Sequence, residues 1–281
     1  MQPMTTWKDV LHPGLATDFF VRRRLPPFDS AAAGYCDANA LWLAELSRLV
    51  YRHDVEEESS PPQPSRSSFL ASAGLRQRRF FASAGTGTQA MLVEAEGPSA
   101  FAVLVFRGTE QTIKDFVMDL KVGHLRLPGG ALDVHRGFRD ALDSVWEGIS
   151  AELTALTCPV FYTGHSLGAA LATLAAARRA PRALYTFGSP LVGNAAFAAS
   201  LQDVPVYRVV DDQDVVAVLP PAALGYRHVG ETHTLLAPKA AASVSPFAWL
   251  RLLLGPPKPL ADHAPVNYLD RIGPPTTPGR S

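Results

Sequence analysis

The chain has 281 residues, of which 47% are hydrophobic, and its 26 basic and 26 acidic residues give a formal net charge of zero. This length is enough for one large α/β domain, so we expect a single domain over residues 1–281. A zero net charge gives no general attraction to nucleic acid or to an anionic membrane. The short arginine clusters Arg22–Arg24 and Arg76–Arg79 do not change this expectation, because acidic residues balance them.

The start of the chain and the cysteines bear on the cellular compartment. Residues 1–18 lack the charged-then-apolar order of a secretory signal, since Lys8 and Asp9 interrupt any apolar stretch. We therefore expect a cytoplasmic protein or one exported by a non-classical route. Two cysteines, Cys36 and Cys158, are too few for a disulfide framework, and the sequence leaves their pairing open.

The first predicted elements are a helix and a loop. Residues from about 31 to 53 carry leucines at helical spacing, which predicts an amphipathic helix laid on the body of the fold. Residues 54–68 include the run Glu56–Pro64, which has no periodicity and contains several prolines, so they predict a flexible surface loop. At the other end, residues 271–281 are expected to form a tail.

Four short apolar runs in the middle of the chain predict strands. These runs are Ala100–Phe106, Val160–Tyr162, Ala183–Phe187 and Val206–Val210. The first is apolar throughout, which is typical of a parallel strand that is covered on both faces. Helical stretches at Val134–Leu153 and Leu167–Arg179 separate several of the runs. This alternation predicts an α/β fold with a mostly parallel central sheet flanked by helices.

A Gly-His-Ser-Leu-Gly pentapeptide occupies Gly164–Gly168, between a predicted strand and the alanine-rich stretch Ala169–Ala177. A Gly-x-Ser-x-Gly sequence between a strand and a helix is typical of a nucleophile elbow, in which a strained turn lifts the serine hydroxyl above the sheet. The glycines avoid collisions with the neighbouring strand and helix. The pattern predicts Ser166 as a nucleophile, whereas the pentapeptide alone would be read as a simple turn.

A serine nucleophile needs a base, and the base needs a carboxylate that orients it. On folds with this elbow both partners follow the serine in the chain, the acid first. The candidates for the acid are Asp211, Asp212 and Asp214, which follow one predicted strand. The candidates for the base are His228, His233 and His263. We prefer His263, because it lies in a polar, proline-bearing segment after the last long apolar stretch, where a loop can reach over the sheet.

The reaction also needs backbone N–H donors for the oxyanion. One such donor usually comes from the residue after the nucleophile, which is Leu167. The other comes from a loop after an earlier strand. Thr109 is our candidate, since it lies in the Arg107-Gly108-Thr109 segment that follows the predicted strand ending at Phe106.

Taken together, these motifs resemble the class 3 lipases, whose best-known members are fungal triacylglycerol lipases with an α/β-hydrolase fold. The matching segments are Val105–Thr109, Asp115–Phe116, Asp119–Leu120, Val134–Phe138, Thr163–Ala172, Thr186–Pro190, Val192–Asn194, Asp214–Val216, Leu219–Pro221 and Gly225–His228. The resemblance selects Asp214 as the acid, supports His263 as the base and assigns His228 a structural place. It also implies a lid at residues 110–122, and the apolar residues within 244–260 suggest a possible second lid or cap.

The resemblance implies a serine ester hydrolase, with long-chain acylglycerols as the first choice of substrate and no metal or organic cofactor. Phospholipids cleaved at the sn-1 ester, short-chain esters and feruloyl esters stay open, because the width of an acyl pocket cannot be read from sequence. The alternative from another class is a lipase-like scaffold that binds a lipid or a partner without catalysis. The substrate is expected at a lipid–water interface, and we expect no transmembrane segment: the apolar run 247–254 is too short to span a bilayer.

Overall fold

The computed structural model of the chain describes residues 5–53, 64–97, 99–108, 132–236 and 255–273. Within these ranges one sheet contains seven strands. The strands are β1 Arg76–Ala82, β2 Gln89–Ala95, β3 Phe101–Phe106, β4 Val160–His165, β5 Ala183–Phe187, β6 Val206–Asp211 and β7 Glu231–Leu235. The α-helices are α1 Trp7–Leu11, α2 Asp37–Leu49, α3 Arg66–Ser72, α4 Arg136–Thr154, α5 Leu167–Arg178, α6 Ala195–Ala199, α7 Lys258–Ala261 and α8 Pro265–Arg271. Short 3₁₀ turns lie at Pro13–Leu15, Val216–Val218 and Ala222–Leu224.

The sheet is mostly parallel, as the sequence predicts. Its strands lie side by side in chain order from β1 to β7. The pairs β1–β2 and β2–β3 are antiparallel, and every later pair from β3 to β7 is parallel. Because parallel strands present their carboxyl ends at one edge, the loops after β4 and β6, which carry Ser166 and Asp214, emerge on the same side of the sheet.

Both faces of the sheet are buried, which explains why the central strands are apolar without alternation. On one face Leu104, Tyr162 and Leu184 pack with residues of α4 and α5. On the other face Val103 and Phe161 pack with residues of α2 and α8. Every residue of β3 and β5 is buried. The site edge is therefore supported from both sides by close-packed apolar side chains.

Helix α2 departs from the prediction in length and in environment. It begins at Asp37 and ends at Leu49, and it is covered nearly all round rather than amphipathic. The reason is a buried ion pair: the Arg48 guanidinium bonds the Glu45 carboxylate at 2.9 Å and reaches Asp18 of the N-terminal segment at 2.7 Å. Such pairing lets polar residues lie inside the fold, which a periodicity argument cannot anticipate.

Both arginine clusters pair with carboxylates. Arg22 bonds Asp18 and Asp270, and the cluster Arg76–Arg79 lies in β1, where its guanidinium groups bond glutamates on β2 and α4 and in the turn after β2. The arginines named here therefore form ion pairs within the chain. Cys36 and Cys158 are free thiols.

Four predicted segments fall wholly or partly outside the described residues, and of the predicted tail 271–281 the residues 274–281 lie outside. Of the predicted loop 54–68, residues 54–63 lie outside, while 66–68 form the first turn of α3, which Ser65 caps with its side chain. The predicted lid 110–122 lies outside, and so do residues 244–254 of the second apolar segment; α7 ends one residue beyond that segment. The tail was placed too early, because Arg271 ends α8 and Ile272 is buried.

The prediction of one domain over the whole chain also covers residues outside the described ranges and stays a prediction. Among the helices that the structure describes, none combines the length and the apolar character needed to cross a membrane.

Candidate active site

Ser166 occupies the sharp turn between β4 and α5. Its backbone has φ 60° and ψ −128°, a left-handed conformation that non-glycine residues rarely adopt. The Ser166 N–H donates to the carbonyl of Phe187 at 3.0 Å, which fixes the turn against β5. The side chain is 2% exposed, and its Oγ has no hydrogen-bond partner among the described residues. A strained backbone that holds an unbonded hydroxyl is the arrangement expected of a nucleophile elbow.

The two glycines of the pentapeptide are required by close backbone contacts. A Cβ atom on Gly168 would lie 2.2 Å from the carbonyl oxygen of Phe106, and one on Gly164 would lie 2.4 Å from the carbonyl carbon of Gly168. Neither contact can be relieved by a side-chain rotation, because the opposing atoms are backbone. The glycines therefore let α5 start directly against β3 and β4, as the sequence analysis expects.

His263 and Asp214 form a hydrogen-bonded pair inside the fold. The His263 Nδ1 atom lies 2.9 Å from Oδ1 and 2.8 Å from Oδ2 of Asp214, and both side chains are fully buried. Asp214 also accepts a hydrogen bond from the Val216 N–H at 2.8 Å and one from the Tyr268 hydroxyl. These four contacts fix the orientation of the Asp214 carboxylate, and the carboxylate in turn fixes the orientation of the His263 imidazole ring.

The carboxylate of Asp214 is held in its ionised form. Burial alone would raise its pKa, but the adjacent His263 imidazole and the hydrogen bonds from His263 and Tyr268 outweigh burial and lower the pKa below its usual value. The oxygens of an ionised carboxylate can only accept, so the Nδ1 atom of His263 carries a proton and donates it to Asp214. The Nε2 atom of His263 is then a lone-pair acceptor, and it is buried without a partner among the described residues.

Gly188 joins the elbow to this pair. It follows Phe187, which accepts the Ser166 N–H, and it has φ +58°. A Cβ atom at Gly188 would lie 2.6 Å from Asp214 Oδ2 and 3.0 Å from His263 Nδ1. The Cα of Gly188 therefore touches the acid–base pair directly, and only glycine suits both the space and the backbone angle.

The oxyanion candidates have different outcomes. Leu167 is the first residue of α5, a position whose N–H has no acceptor within its own helix. Thr109 lies outside the described residues, which end on that side at Gly108. Its role stays a prediction.

The other candidates for the acid, Asp211 and Asp212, and for the base, His228 and His233, contact residues outside the His263–Asp214 pair. Arg271 bonds Asp211, and Lys258 bonds Asp212. Burial lowers the pKa of His228 to about 4, helped by the nearby Arg208 charge, although the Ala217 carbonyl accepts a hydrogen bond from it. The His233 ring stacks on Tyr35 with centroids 3.6 Å apart. None of these four side chains bonds the candidate pair among the described contacts.

A second charged network connects Asp262, the residue before His263, with the loop after β6 that carries Asp214. The guanidinium of Arg271 bonds both Asp211 and Asp262, the residue before His263. Asp262 also accepts from the Gln213 N–H at 3.3 Å and from Lys258 at 2.6 Å. Sequence reasoning missed this network and the Tyr268 hydroxyl bond, because the partners come from α8 and only the fold brings α8 beneath the loop.

Within this network, burial raises the pKa of Asp211 to about 7, although the Arg271 guanidinium opposes the rise. Burial prevails because Asp211 Oδ2 has no partner among the described residues and because Arg271 is shared with Asp262. In the unfolded chain the carboxyl ionises near 3.8. Between these pH values the folded state holds a proton that the unfolded state has released, so rising pH lowers the free energy of unfolding through this group.

We therefore expect Asp211→Asn, which cannot titrate, to gain stability relative to the wild type as the pH rises from about 4 to about 7. Urea denaturation at several pH values in this interval measures the difference. Asp212→Asn, a neutralisation at the adjacent and more exposed position, controls for a general charge effect. A difference that does not change with pH would mean that Arg271 keeps Asp211 ionised throughout.

The sequence model of the class 3 lipases matches residues 103–224, which include the elbow and Asp214. A solved structure of Rhizomucor miehei triacylglyceride lipase is 30% identical, with a TM-score of 0.52, and the match covers 59% of this chain and 69% of that one. The chain belongs to the class 3 lipase family. Its fold is accordingly the α/β-hydrolase fold that the sequence predicts.

Two curated members of the family match this chain over part of its length. A secreted mono- and diacylglycerol lipase of Fusarium solani is 43% identical over 113 residues, which cover 36% of this chain and 34% of the relative. A lipase of Rhizomucor miehei is 33% identical over 163 residues, covering 52% and 44% respectively. The chain thus spans less than half the length of these relatives.

The expectation of a cytoplasmic location is wrong. The Fusarium solani relative and a second one from Penicillium cyclopium, 32% identical over 163 residues, are both named as secreted lipases. These names contradict the expectation, which rested on the lack of a charged-then-apolar pattern in residues 1–18.

Proposed function

We propose that this chain hydrolyses carboxylic esters through an acyl-enzyme on Ser166. The observation that supports this most directly is the fully buried His263–Asp214 pair, which Gly188 joins to the elbow of Ser166. The two atoms that would exchange the proton, Ser166 Oγ and His263 Nε2, make no hydrogen bond to any other group among the described residues. Such pairs often tighten only when substrate binds.

In the proposed reaction the Ser166 hydroxyl attacks the ester carbonyl while His263 Nε2 takes its proton. Asp214 keeps the other imidazole nitrogen protonated and stabilises the imidazolium. The N–H groups of Leu167 and Thr109 hold the oxyanion. His263 then gives the proton to the leaving alcohol, and a water molecule, activated by His263, releases the acid and restores Ser166. Each step needs only this chain and water.

Acylglycerols are the proposed substrate class. The relatives named as mono- and diacylglycerol lipases support esters of glycerol over other esters.

The test uses p-nitrophenyl esters from acetate to palmitate, followed by emulsified mono-, di- and trioleoylglycerol. We expect turnover with a preference for the longer acyl chains. Labelling with an alkyl fluorophosphonate should add one phosphonyl group per chain, on the peptide that contains Ser166. The heat-denatured protein, which lacks the assembled pair, is the control and should not be labelled.

The possible failures of this test are distinguishable. Lack of both turnover and labelling would contradict the hydrolase and favour a lipid-binding scaffold. A steep preference for acetate would leave ester hydrolysis intact and contradict the acylglycerol substrate. Cleavage of phosphatidylcholine or of feruloyl esters in preference to oleoylglycerols would reassign the substrate class.

A further inference from the structure

The histidine of the elbow itself, His165, makes two hydrogen bonds that the proposed reaction does not use. Its Nε2 atom lies 2.7 Å from the backbone carbonyl oxygen of His263. Its Nδ1 atom lies 3.0 Å from the hydroxyl oxygen of Tyr51. A carbonyl can only accept, so Nε2 carries the ring proton and Nδ1 accepts the hydrogen of the Tyr51 hydroxyl. The ring is thereby fixed in one tautomer and one orientation.

This ring spans the distance between the nucleophile and the base. The backbone of His165 is joined directly to Ser166, whereas its Nε2 atom holds the backbone of His263. The two imidazole rings lie with their centroids 4.5 Å apart. The rigid, planar ring of His165 therefore connects the backbone next to Ser166 with the backbone of His263.

Tyr51, which lies just beyond the end of α2, extends this connection toward the predicted oxyanion loop. Its hydroxyl oxygen would lie 2.0 Å from a Cβ atom on Gly108, and the His165 carbonyl oxygen would lie 2.9 Å from the same atom. The Cα of Gly108 is therefore packed against both residues. Gly108 is the last described residue before Thr109, the predicted oxyanion donor.

We propose that Tyr51 and His165 are positioning residues. They hold the backbone of His263 and that of Gly108, the residue before the predicted oxyanion donor, in a fixed position relative to Ser166. The proposal rests on the hydrolase function proposed above. Neither side chain is assigned contact with the substrate; both act through the groups that they hold. Positioning matters because a misplacement of about 1 Å in a reacting group can cost about a hundredfold in rate.

The electrostatics of His165 suit this role. Burial, together with the neighbouring His263, lowers the pKa of His165 to about 3, so the ring stays neutral. A neutral neighbour matters in catalysis, since His263 must accept a proton at a ring separation of 4.5 Å. A second imidazolium at that distance would oppose this protonation.

The first part of the test compares three variants by their kinetic constants. His165→Leu removes both bonds, Tyr51→Phe removes only the hydroxyl, and His165→Gln keeps an N–H donor close to the position of Nε2. With a soluble p-nitrophenyl ester we expect kcat to fall about a hundredfold in His165→Leu and about tenfold in Tyr51→Phe, with KM changed by less than about threefold. His165→Gln should recover about tenfold of the loss.

The matched control is Tyr185→Phe. Tyr185 is also a buried tyrosine, and its hydroxyl accepts the Cys36 N–H at 3.2 Å, at the start of α2 rather than beyond its end. Its loss removes the hydrogen bonds with Cys36 and Asn39, which lie at the opposite end of the same helix from Tyr51. We expect a comparable loss of thermal stability to that of Tyr51→Phe, with kcat within about twofold of wild type.

The second part needs no turnover. The Nδ1 proton of His263, which lies between the imidazole and the buried Asp214, gives a strongly downfield proton NMR signal. We expect this signal in the wild type and in His165→Gln and its loss or a clear shift in His165→Leu. An unchanged signal in His165→Leu, or kcat within about threefold of wild type in both His165→Leu and Tyr51→Phe, overturns the proposal. If the wild type hydrolyses no ester, the hydrolase function fails, and the NMR comparison still decides the positioning role.

Discussion

Ser166→Ala should lower kcat for ester hydrolysis by about a million-fold while leaving the fold as stable as the wild type or more so. The kinetic loss follows because no other group of the proposed site can form the acyl-enzyme. The stability result follows from the structure, since the buried Oγ of Ser166 has no hydrogen-bond partner among the described residues and its removal exposes no unsatisfied group. Single-turnover kinetics and thermal unfolding measure the two quantities.

Ser47→Ala is a suitable control, because it should give the opposite pattern. The Ser47 hydroxyl is also buried, but it bonds the Thr163 hydroxyl at 3.0 Å. Its loss removes this buried hydrogen bond and leaves the Thr163 hydroxyl with only the long 3.5 Å bond to the Leu43 carbonyl oxygen. It should lower the free energy of unfolding by about 1–3 kcal/mol, with kcat little changed. If Ser166→Ala keeps substantial activity, the nucleophile is elsewhere and the elbow has another role.

Asp214→Asn should lower kcat by about ten-thousandfold with little change in the shape of the site. The Val216 N–H needs an acceptor at Oδ1, so the asparagine oxygen takes that position and the amide nitrogen takes the place of Oδ2. The amide then donates one hydrogen to the Tyr268 hydroxyl oxygen, which turns from donor to acceptor, and the other to His263 Nδ1, which must give up its proton. The imidazole is left in the tautomer protonated at Nε2, which cannot take the proton of Ser166.

The control for this substitution is Asp212→Asn, the same chemical change two residues earlier. Asp212 has φ 24° and bonds Lys258 near the surface, and asparagine tolerates positive φ well. We expect its kcat to stay within about threefold of wild type. Equal losses in both variants would show that the charge of the loop matters rather than the tautomer of His263. A pH-rate profile of Asp214→Asn distinguishes the tautomer effect from a local collapse, which circular dichroism would also detect.

The central sheet and the elbow could be predicted from sequence because their signals are local. A strand buried on both faces must be apolar at every position, as in Phe101–Phe106, and the neighbouring helices show their own period. The elbow requires glycine at two fixed spacings for steric reasons that act within a few residues of Ser166. These features depend on the immediate neighbours of each residue and therefore appear in the sequence itself.

The contacts that complete the site could not be predicted because their partners are distant in the chain. Tyr268 lies 54 residues from Asp214, and Tyr51 lies 114 residues from His165, and no spacing rule relates them. The strands β1 and β2 were missed for a related reason. In β1 three of the first four residues are arginines and only Phe81 is buried, so the strand has no apolar run. The charge of these arginines is matched by glutamates that are distant in the chain, such as Glu94 and Glu152.

The attachment of α8 has a consequence for how the protein is made. This helix carries Tyr268 and is held to the N-terminal segment by the Arg22–Asp270 ion pair, across 248 residues of chain. The elbow histidine and the base are themselves 98 residues apart. On the ribosome the strands around Ser166 can form while His263 is still untranslated, and contacts of such long range form late in folding. A nascent chain would thus hold Ser166 in a finished turn while it is still inert, and the proposed hydrolysis would start only when α8 docks.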